Sequence, residues 1–484
     1  MFELSVAFKY LVPKRRQLSV ALISLMSVGV ISLVVWLVLV FLSVTEGIER
    51  SWLEKLTTLN APLRITPTVA YYSSYYHQID GISSTSGYSV KSIGEKNEAP
   101  ISDPYSAKED SEIPLDWAPA DRLADGSLKD PVKTAFQVLE RLKQKMPGLA
   151  FQDYEISGAM LRLQLKSQNV ITQASYLASF ADKNPKFSTL LSDPTPKNLN
   201  HLDDEGILLA KNFQDNGVQI GDLGYLAYTA STASSVQEQR LPVRVEGFYD
   251  PGILSVGNKC ILVSPSITRT INANSTSIHF DPLLANGIQV WFQDLQQVGS
   301  LQKQLEKAFV QADIAHYWKI TPFYEYDFAK DLLVQFQSDK YLFALVGLII
   351  LIVACCNIIS LLVLLVNDKK REIGILQTLG ASNKSIATIF GLCGAGLGII
   401  SSLIGTFAAL LTLHHIDTVV SVLSFLQGHE AFGAAFYGKS LPNELSHNAV
   451  TFILIVTPLI SLCAGLVPAI KACRLRPSAI LRSE

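Results

Sequence analysis

At 484 residues, 49% hydrophobic and 17% charged, with a mean hydropathy of +0.27, the chain is too apolar for an average soluble protein. A formal charge of −2 leaves no electrostatic footprint for nucleic acid, which is excluded as an expected partner.

The apolar content is concentrated in four windows without Asp, Glu, Lys or Arg: Leu18–Val44, Tyr341–Val366, Ser385–Leu413 and Ala449–Ile470. Each exceeds the roughly 20 residues a helix needs to cross about 30 Å of hydrocarbon. The first is about twice the usual length of a signal-peptide core, and no A-x-A-like site follows it before Thr45-Glu46-Gly47. It is expected to remain as an anchor. Lys and Arg then set the orientation. Lys9, Lys14, Arg15 and Arg16 precede the first span. Lys369, Lys370, Arg371 and Lys384 occupy the 367–384 loop, and Lys471, Arg474, Arg476 and Arg482 the tail, whereas the 414–448 loop holds only Lys439. The 1–17 segment, the 367–384 loop and the 471–484 tail are expected in the cytoplasm, with 45–340 and 414–448 outside.

Within 45–340, Glu46–Leu59 reads as a helix running on from the first span, and Leu63–Val69 alternates like a strand. Residues 71–130 are Tyr/Ser-rich, then charged, with Pro100, Pro104, Pro114 and Pro119, and read as an irregular insertion or partly disordered loop. Helical spacing returns in Val132–Lys145. Strand-like runs follow at Ala159–Leu165, Gly206–Ala210, Leu223–Thr229, Val243–Phe248, Cys260–Val263 and Gly287–Phe292, then a helix at Leu301–Phe309 with Ser300 as its N-cap. The chain returns to the membrane through Phe328–Lys340. The expected fold is an α-helical membrane protein with four transmembrane helices and a mixed α/β outer domain. Of the six cysteines only Cys260 would face an oxidising compartment, so no disulfide is expected there. No metal-ligand spacing appears, and His414-His415 at a span end reads as interfacial rather than ligating.

Gly433-Ala-Ala-Phe-Tyr-Gly438-Lys439-Ser440 matches the phosphate-loop pattern letter for letter. It lacks the preceding strand and following helix that the chemistry requires, and Leu441-Pro442 comes next. It is not read as a nucleotide site, so energy must come from another chain. No serine-hydrolase or zinc-protease set is visible, and no enzyme is expected. The cytoplasmic loop is more informative. Lys370–Leu379 places Ile373, Leu376 and Leu379 on one helical face, can stop at Gly380, and leaves Ser382 to cap the next helix. Such a helix either rests on lipid headgroups or docks into a groove on a partner. Asn357, inside the second span, marks helix–helix hydrogen bonding or a pathway. Gly394 and Gly398 mark close helix packing.

Several stretches together resemble the LolC/LolE lipoprotein-releasing permeases of the wider MacB/FtsX-like superfamily. They are Phe8-Lys-Tyr-Leu with Lys14-Arg-Arg and Ala21-Leu-Ile-Ser-Leu, Thr45-Glu-Gly-Ile-Glu-Arg, Asn60-Ala-Pro-Leu-Arg-Ile, Cys356-Asn-Ile-Ile-Ser, Lys370–Ser382, and Val467-Pro-Ala-Ile-Lys-Ala with Arg476-Pro. Gly428-His-Glu and Leu441-Pro-Asn-Glu-Leu are closer to the LolE type. The match covers about 1–65 and 132–484, with 71–130 and Thr321–Lys340 departing from it.

The resemblance implies a MacB-like periplasmic core, an inner-membrane location and no cofactor. It further implies pairing with a sister or identical permease subunit, a LolD-type ATPase, triacylated lipoproteins as cargo and a LolA-type periplasmic carrier. Arg371, Glu372, Ile373, Leu376 and Leu379 would meet the ATPase. Met26, Val30 and Val34 on one face of the first span, with Asn357, would form an acyl-chain wall. Between Gly217–Asp222 and Val243–Phe248, the segment Thr229–Pro242 stands where the family carries a carrier-binding hook. Val236, Gln239, Arg240 and Leu241 are its candidate contacts, an idle surface loop being the other reading. A division- or efflux-type permease of the same superfamily, or a non-transporting membrane scaffold, is the alternative function.

Overall fold

The computed structural model describes the chain apart from residues 1–2, 4–5, 8–17, 82–87, 100–119, 124–125, 127, 167–168, 181–182, 192–204, 232–234, 252–258, 275–284, 369, 379, 429–444 and 474–484. Gly433–Ser440 and most of the tail therefore lie outside the described residues. The main elements begin with α1 (Leu18–Asn60), β1 (Leu63–Pro67), α2 (Ile93–Glu98), α3 (Pro131–Lys145), β2 (Ala150–Gln164), β3 (Val170–Ser179) and β4 (Gly206–Ala210). They continue with β5 (Leu223–Ser231), β6 (Val236–Tyr249), β7 (Cys260–Val263), α4 (Pro265–Asn274), β8 (Asn286–Trp291), α5 (Val298–Gln311) and β9 (Trp318–Pro322). Five helices end the chain: α6 (Asp327–Asp368), α7 (Lys370–Thr378), α8 (Asn383–His414), α9 (Ile416–Gln427) and α10 (His447–Cys473). Two compact units result, Trp52–Leu332 and the combination of Met1–Ser51 with Leu333–Glu484.

The second unit is a helical bundle. Four helices are long and apolar enough to cross a membrane, over Leu25–Asn60, Ala329–Asn367, Lys384–His414 and His447–Pro468. Their shared core contains Ile31, Leu39, Ile358, Leu362, Phe390 and Leu397, each at most 2% exposed. The outward side is equally apolar: Phe407 is 63% exposed and Ile455 62%, as expected where lipid replaces water. α8 and α10 approach through small residues. A Cβ on Gly394 would strike the Ser461 carbonyl, one on Gly398 would lie 2.6 Å from Ser461 Oγ, and one on Gly465 would lie 2.6 Å from the Phe390 carbonyl. Backbone contact of this closeness maximises dispersion where no hydrophobic effect drives association.

The α/β unit is organised by the long strand β2. Its first half, Ala150–Glu155, pairs antiparallel with β8, which pairs with β1, which pairs with β9. Its second half pairs with β3 over Ile156–Gln164 and with β5 over Met160–Gln164. The remaining pairings, β3–β7, β7–β4, β4–β6 and β6–β5, close a six-stranded ring back onto β2, with β3–β7 and β4–β6 parallel. Closure removes the open edges that would otherwise invite pairing. Leu161, Leu163, Leu177, Ile207, Leu226 and Val245 fill the ring with no exposure, while Met160 on the alternate face is 40% exposed. The sheet half is covered by α3 and α5, whose Val132, Leu139, Leu305 and Phe309 pack on Ile65, Ile288 and Val290. α3 starts on an Asp130 cap with Pro131 at its first position.

Four sequence expectations are corrected here. The described parts of 71–130 are not an irregular insertion. Val69–Tyr72, Tyr75–Gln78 and α2 are short helices, with Tyr71, Tyr75 and Ile93 at most 2% exposed, and Ser92 with Glu95 forms a full capping box. Lys96 and Asp80 pair at 2.9 Å with both side chains fully buried. Ser300 does not cap α5; the helix begins at Val298 and the Ser300 hydroxyl donates to the Gln297 carbonyl at 2.9 Å. β3, β9 and α4 had no counterpart in the sequence reading, because β3 exposes one face and β9 is only five residues long. The 414–448 loop contains the twelve-residue helix α9.

Candidate functional site

Within the bundle, α1 is tied by polar contacts to each of its three long neighbours. Trp36 Nε1 donates to Thr412 Oγ1 on α8 at 2.8 Å. Ser446, the residue before α10, donates its backbone N–H to Ser43 Oγ at 3.3 Å and its hydroxyl to the Glu46 carboxylate. Ser446 Oγ also accepts from Ala449 N at 3.1 Å, so one side chain both starts α10 and fastens it to α1. One turn further along, Glu49 forms an ion pair with Lys340 of α6.

The three residues assigned to an acyl-chain wall are not equally open. Met26 is 62% exposed and Val30 38%, whereas Val34 is 6% exposed and lines an apolar crevice with Val38, Gly347, Leu351, Ile453 and Thr457. Steps of four residues advance 40° around a helix, so Val34 stands about 80° from Met26 and crosses from surface to core. Phe41 of α1 stacks on Phe343 of α6 at 5.6 Å. Ser32 faces inward at 7% exposure. The Asn357 side chain lies outside the described residues.

The helix α7 lies between α6 and α8 and ends before Gly380, whose φ of +97° carries the backbone into the left-handed region. Ser382 then caps α8 by accepting from Ser385 N at 3.1 Å. Of the coupling residues, Glu372 is exposed and Leu376 half-buried, but Ile373 is 1% exposed and belongs to the bundle's own core. Ile375, which the sequence reading passed over, is 45% exposed. The face open to a partner therefore carries Glu372 and Ile375, with Leu376 at its edge. The Arg371 side chain and Leu379 lie outside the described residues.

Within 229–242 the described residues are mostly strand, the end of β5 and the start of β6 pairing antiparallel. β5 and β6 remain in register from Leu223↔Arg244 to Ser231↔Val236. Val236 is 63% exposed, Gln239 and Arg240 are exposed, and Leu241 is half-buried. Arg240 is already engaged: its Nε donates to Glu238 Oε1 at 2.8 Å and its guanidinium lies 4.8 Å from the Tyr225 ring centre. The Glu238 hydrogen bond raises the Arg240 pKa. Because both faces of the hairpin end are exposed, residues 236–240 carry no alternation that periodicity could detect.

Among the described residues no group of His, Cys, Asp and Glu is placed to hold a metal ion. Cys260 is half-buried, and burial raises its thiol pKa.

Residues 344–477 match the FtsX-like permease C-terminal family. The chain is 34% identical over 133 residues to the lipoprotein-releasing system transmembrane protein LolE of Haemophilus influenzae, covering 27% of this chain and 32% of that protein. It is 32% identical over 148 residues to LolC of the same organism, covering 31% and 35%. To LolC of Xylella fastidiosa it is 23% identical over 205 residues, covering 40% and 50%. The matched part spans about a third to a half of these relatives' length. Residues 344–477, which hold most of α6 and all of α7 to α10, match the FtsX-like permease family, and the chain is similar to transmembrane proteins of lipoprotein-releasing systems.

Proposed function

We propose that this chain is the permease subunit of a lipoprotein-releasing ABC transporter of the inner membrane, extracting lipoproteins and handing them to a periplasmic carrier. The observation that carries the reading is the similarity to LolE and LolC proteins, joined to an FtsX-like permease domain in a chain with four span-length helices. In this reading both termini and α7 are cytoplasmic and the Trp52–Leu332 unit is periplasmic, the side that the Lys/Arg distribution favours. A LolD-type ATPase meets α7 through Glu372 and Ile375. A second permease subunit, identical or sister, completes the pathway. The outward residues Met26 and Val30 of α1 face the acyl chains, and the β5–β6 hairpin meets a LolA-type carrier.

The energetics fit the assignment. Three acyl chains of roughly 15 methylenes, at about 0.8 kcal/mol per CH₂, would cost up to ~35 kcal/mol if released bare into water. Extraction therefore needs an external energy source and a continuous apolar path. The test is purification of the tagged chain from its native membrane, with mass spectrometry of bound species. The expected result is an ATPase and triacylated lipoproteins, the latter released on adding ATP and a LolA-type carrier. A complex holding an ATPase but no lipoprotein, before or after ATP, would overturn the cargo assignment.

A further inference from the structure

In the twelve-residue helix α9, buried Ile416 and half-buried Val420 and Ser424 mark one side, and the rest is exposed. Ile416 is buried, while Val419, Val422, Leu423 and Leu426 are 42%, 55%, 38% and 75% exposed. At 100° per residue these four fall within an arc of about 100°, and Asp417, Ser421 and Ser424 occupy the opposite side. Phe425, 86% exposed, stands at the boundary. No Lys or Arg is present on the helix. All four residues of the apolar arc remain exposed.

Its depth follows from contacts with α1. The two helices α8 and α1 run in the same direction: Gly405 meets Ser32 and Val35, and Thr412 bonds Trp36 further along both. Ile416, four residues past Thr412 and eleven past Gly405, therefore stands between the levels of Val40 and Glu46. The first hydrophilic residues of α1 are Thr45 and Glu46, and Ser446 rejoins α1 there. At 1.5 Å per residue the start of α9 therefore lies between that polar boundary and about 8 Å inside it. Interfacial amphipathic helices bury their apolar face about 5–10 Å into the headgroup and acyl boundary.

We infer that α9 lies in the plane of the membrane at this boundary, with Val419, Val422, Leu423 and Leu426 among lipid acyl chains and Asp417 and Ser421 toward the headgroups. Lacking basic residues, it is held by apolar burial rather than by attraction to anionic lipid, and it fixes the depth at which α8 ends. This assignment goes beyond the proposed transport function and holds whichever side of the membrane α9 faces.

The test places benzoylphenylalanine at Leu426 or at Ser421 in the full chain, reconstituted in nanodiscs of zwitterionic phosphatidylcholine without ATPase or cargo. Mass spectrometry after irradiation identifies the adducts, and Phe407 in α8 serves as the lipid-facing control. Phospholipid adducts several-fold higher at Leu426 than at Ser421, unchanged when anionic lipid is added, are expected. Protein adducts at Leu426, from the 429–444 segment or a second copy, would show that the face is covered by protein. Equal lipid adducts at both positions would mean that the helix is immersed, and no lipid adduct at Leu426 would place it in water. Each of these three outcomes overturns the inference and leaves the transport reading untouched.

Discussion

Lys96 Nζ and Asp80 Oδ2 stand 2.9 Å apart with both side chains at 0% exposure, inside a segment whose composition resembles an unstructured insertion. The same ammonium donates to the Tyr76 carbonyl at 2.9 Å and lies 4.4 Å from the Tyr76 ring centre, while Tyr76 donates to Asp130, the cap of α3. Burial lowers the Lys96 pKa, and the Asp80 carboxylate opposes that shift. Lys96→Met would leave Asp80 charged in a dry site. It is expected to destabilise the unit by about 3–5 kcal/mol, with Lys96→Met combined with Asp80→Leu recovering most of the loss. Thermal unfolding of the purified full chain in detergent measures both. A single variant as stable as the parent would show that the pair is dispensable.

His77 gives the same region a pH dependence. Burial, with the nearby Lys96 charge second, lowers its pKa from 6.5 to about 4. Between these values the unfolded chain binds a proton that the folded chain does not, so stability falls as pH drops from about 6.5 to about 4. The loss approaches about 3 kcal/mol at 1.36 kcal/mol per pKa unit. Comparison of parent and His77→Gln melting temperatures across pH 7 to 4 isolates this contribution, because the raised Asp153 and Glu155 carboxyls titrate alike in both. The parent curve should fall more steeply than that of the variant.

Gly394 sits against the Ser461 carbonyl, where any side chain must push α8 and α10 apart. Gly394→Val is expected to cost about 1–3 kcal/mol through overpacking. Gly29 of α1 has no atom within 4 Å of an added Cβ, so Gly29→Ala should be neutral or mildly stabilising. Detergent thermal melts of the two variants should separate clearly. Equal behaviour would remove close packing as the reason for Gly394.

At the α7 loop the burial pattern divides the variants. Ile373→Asp places a carboxylate in the bundle core and should reduce folded yield. Ile375→Asp is exposed in the isolated chain, so it should fold normally yet weaken association with the proposed ATPase. Glu372→Lys should keep the complex and uncouple ATP hydrolysis from cargo release. Size-exclusion yield, ATPase co-purification and a release assay read the three effects. Normal association by Ile375→Asp would leave α7 a connector.

The hairpin register defines a clean trim. Thr229 and Glu238 already face each other, so removing Ala230–Gln237 and closing with a two-residue Asn-Gly turn keeps the remaining pairs in place. The trimmed chain should assemble with the proposed ATPase but lose capture of the proposed carrier in a pull-down. Capture at the parent level would move that role to another surface.

How much of this was visible in the one-dimensional pattern depended on the range of the forces involved. Four uncharged windows longer than about 20 residues allow few structures other than membrane helices, because leaving so many apolar groups in water is prohibitive. The helical spacing of Val132–Lys145, the αL glycine at 380 and the Ser382 cap are likewise local effects, and local sequence determines them. The barrel closure is different. It joins Tyr176 to Cys260 and Gly206 to Arg244, pairings that depend on strands distant in sequence and carry no local signature. The 71–130 region misled for the same reason: its tyrosines and Lys96 become core only when Trp318, Asp80 and α3 enclose them. In the candidate sites, periodicity identified the right helices, but only packing decided which residues remain available. Ile373 and Val34 turned inward against neighbours in the bundle, leaving Ile375, Met26 and Val30 on the outside, because a helix has one face pattern and its neighbours choose which part of it is buried.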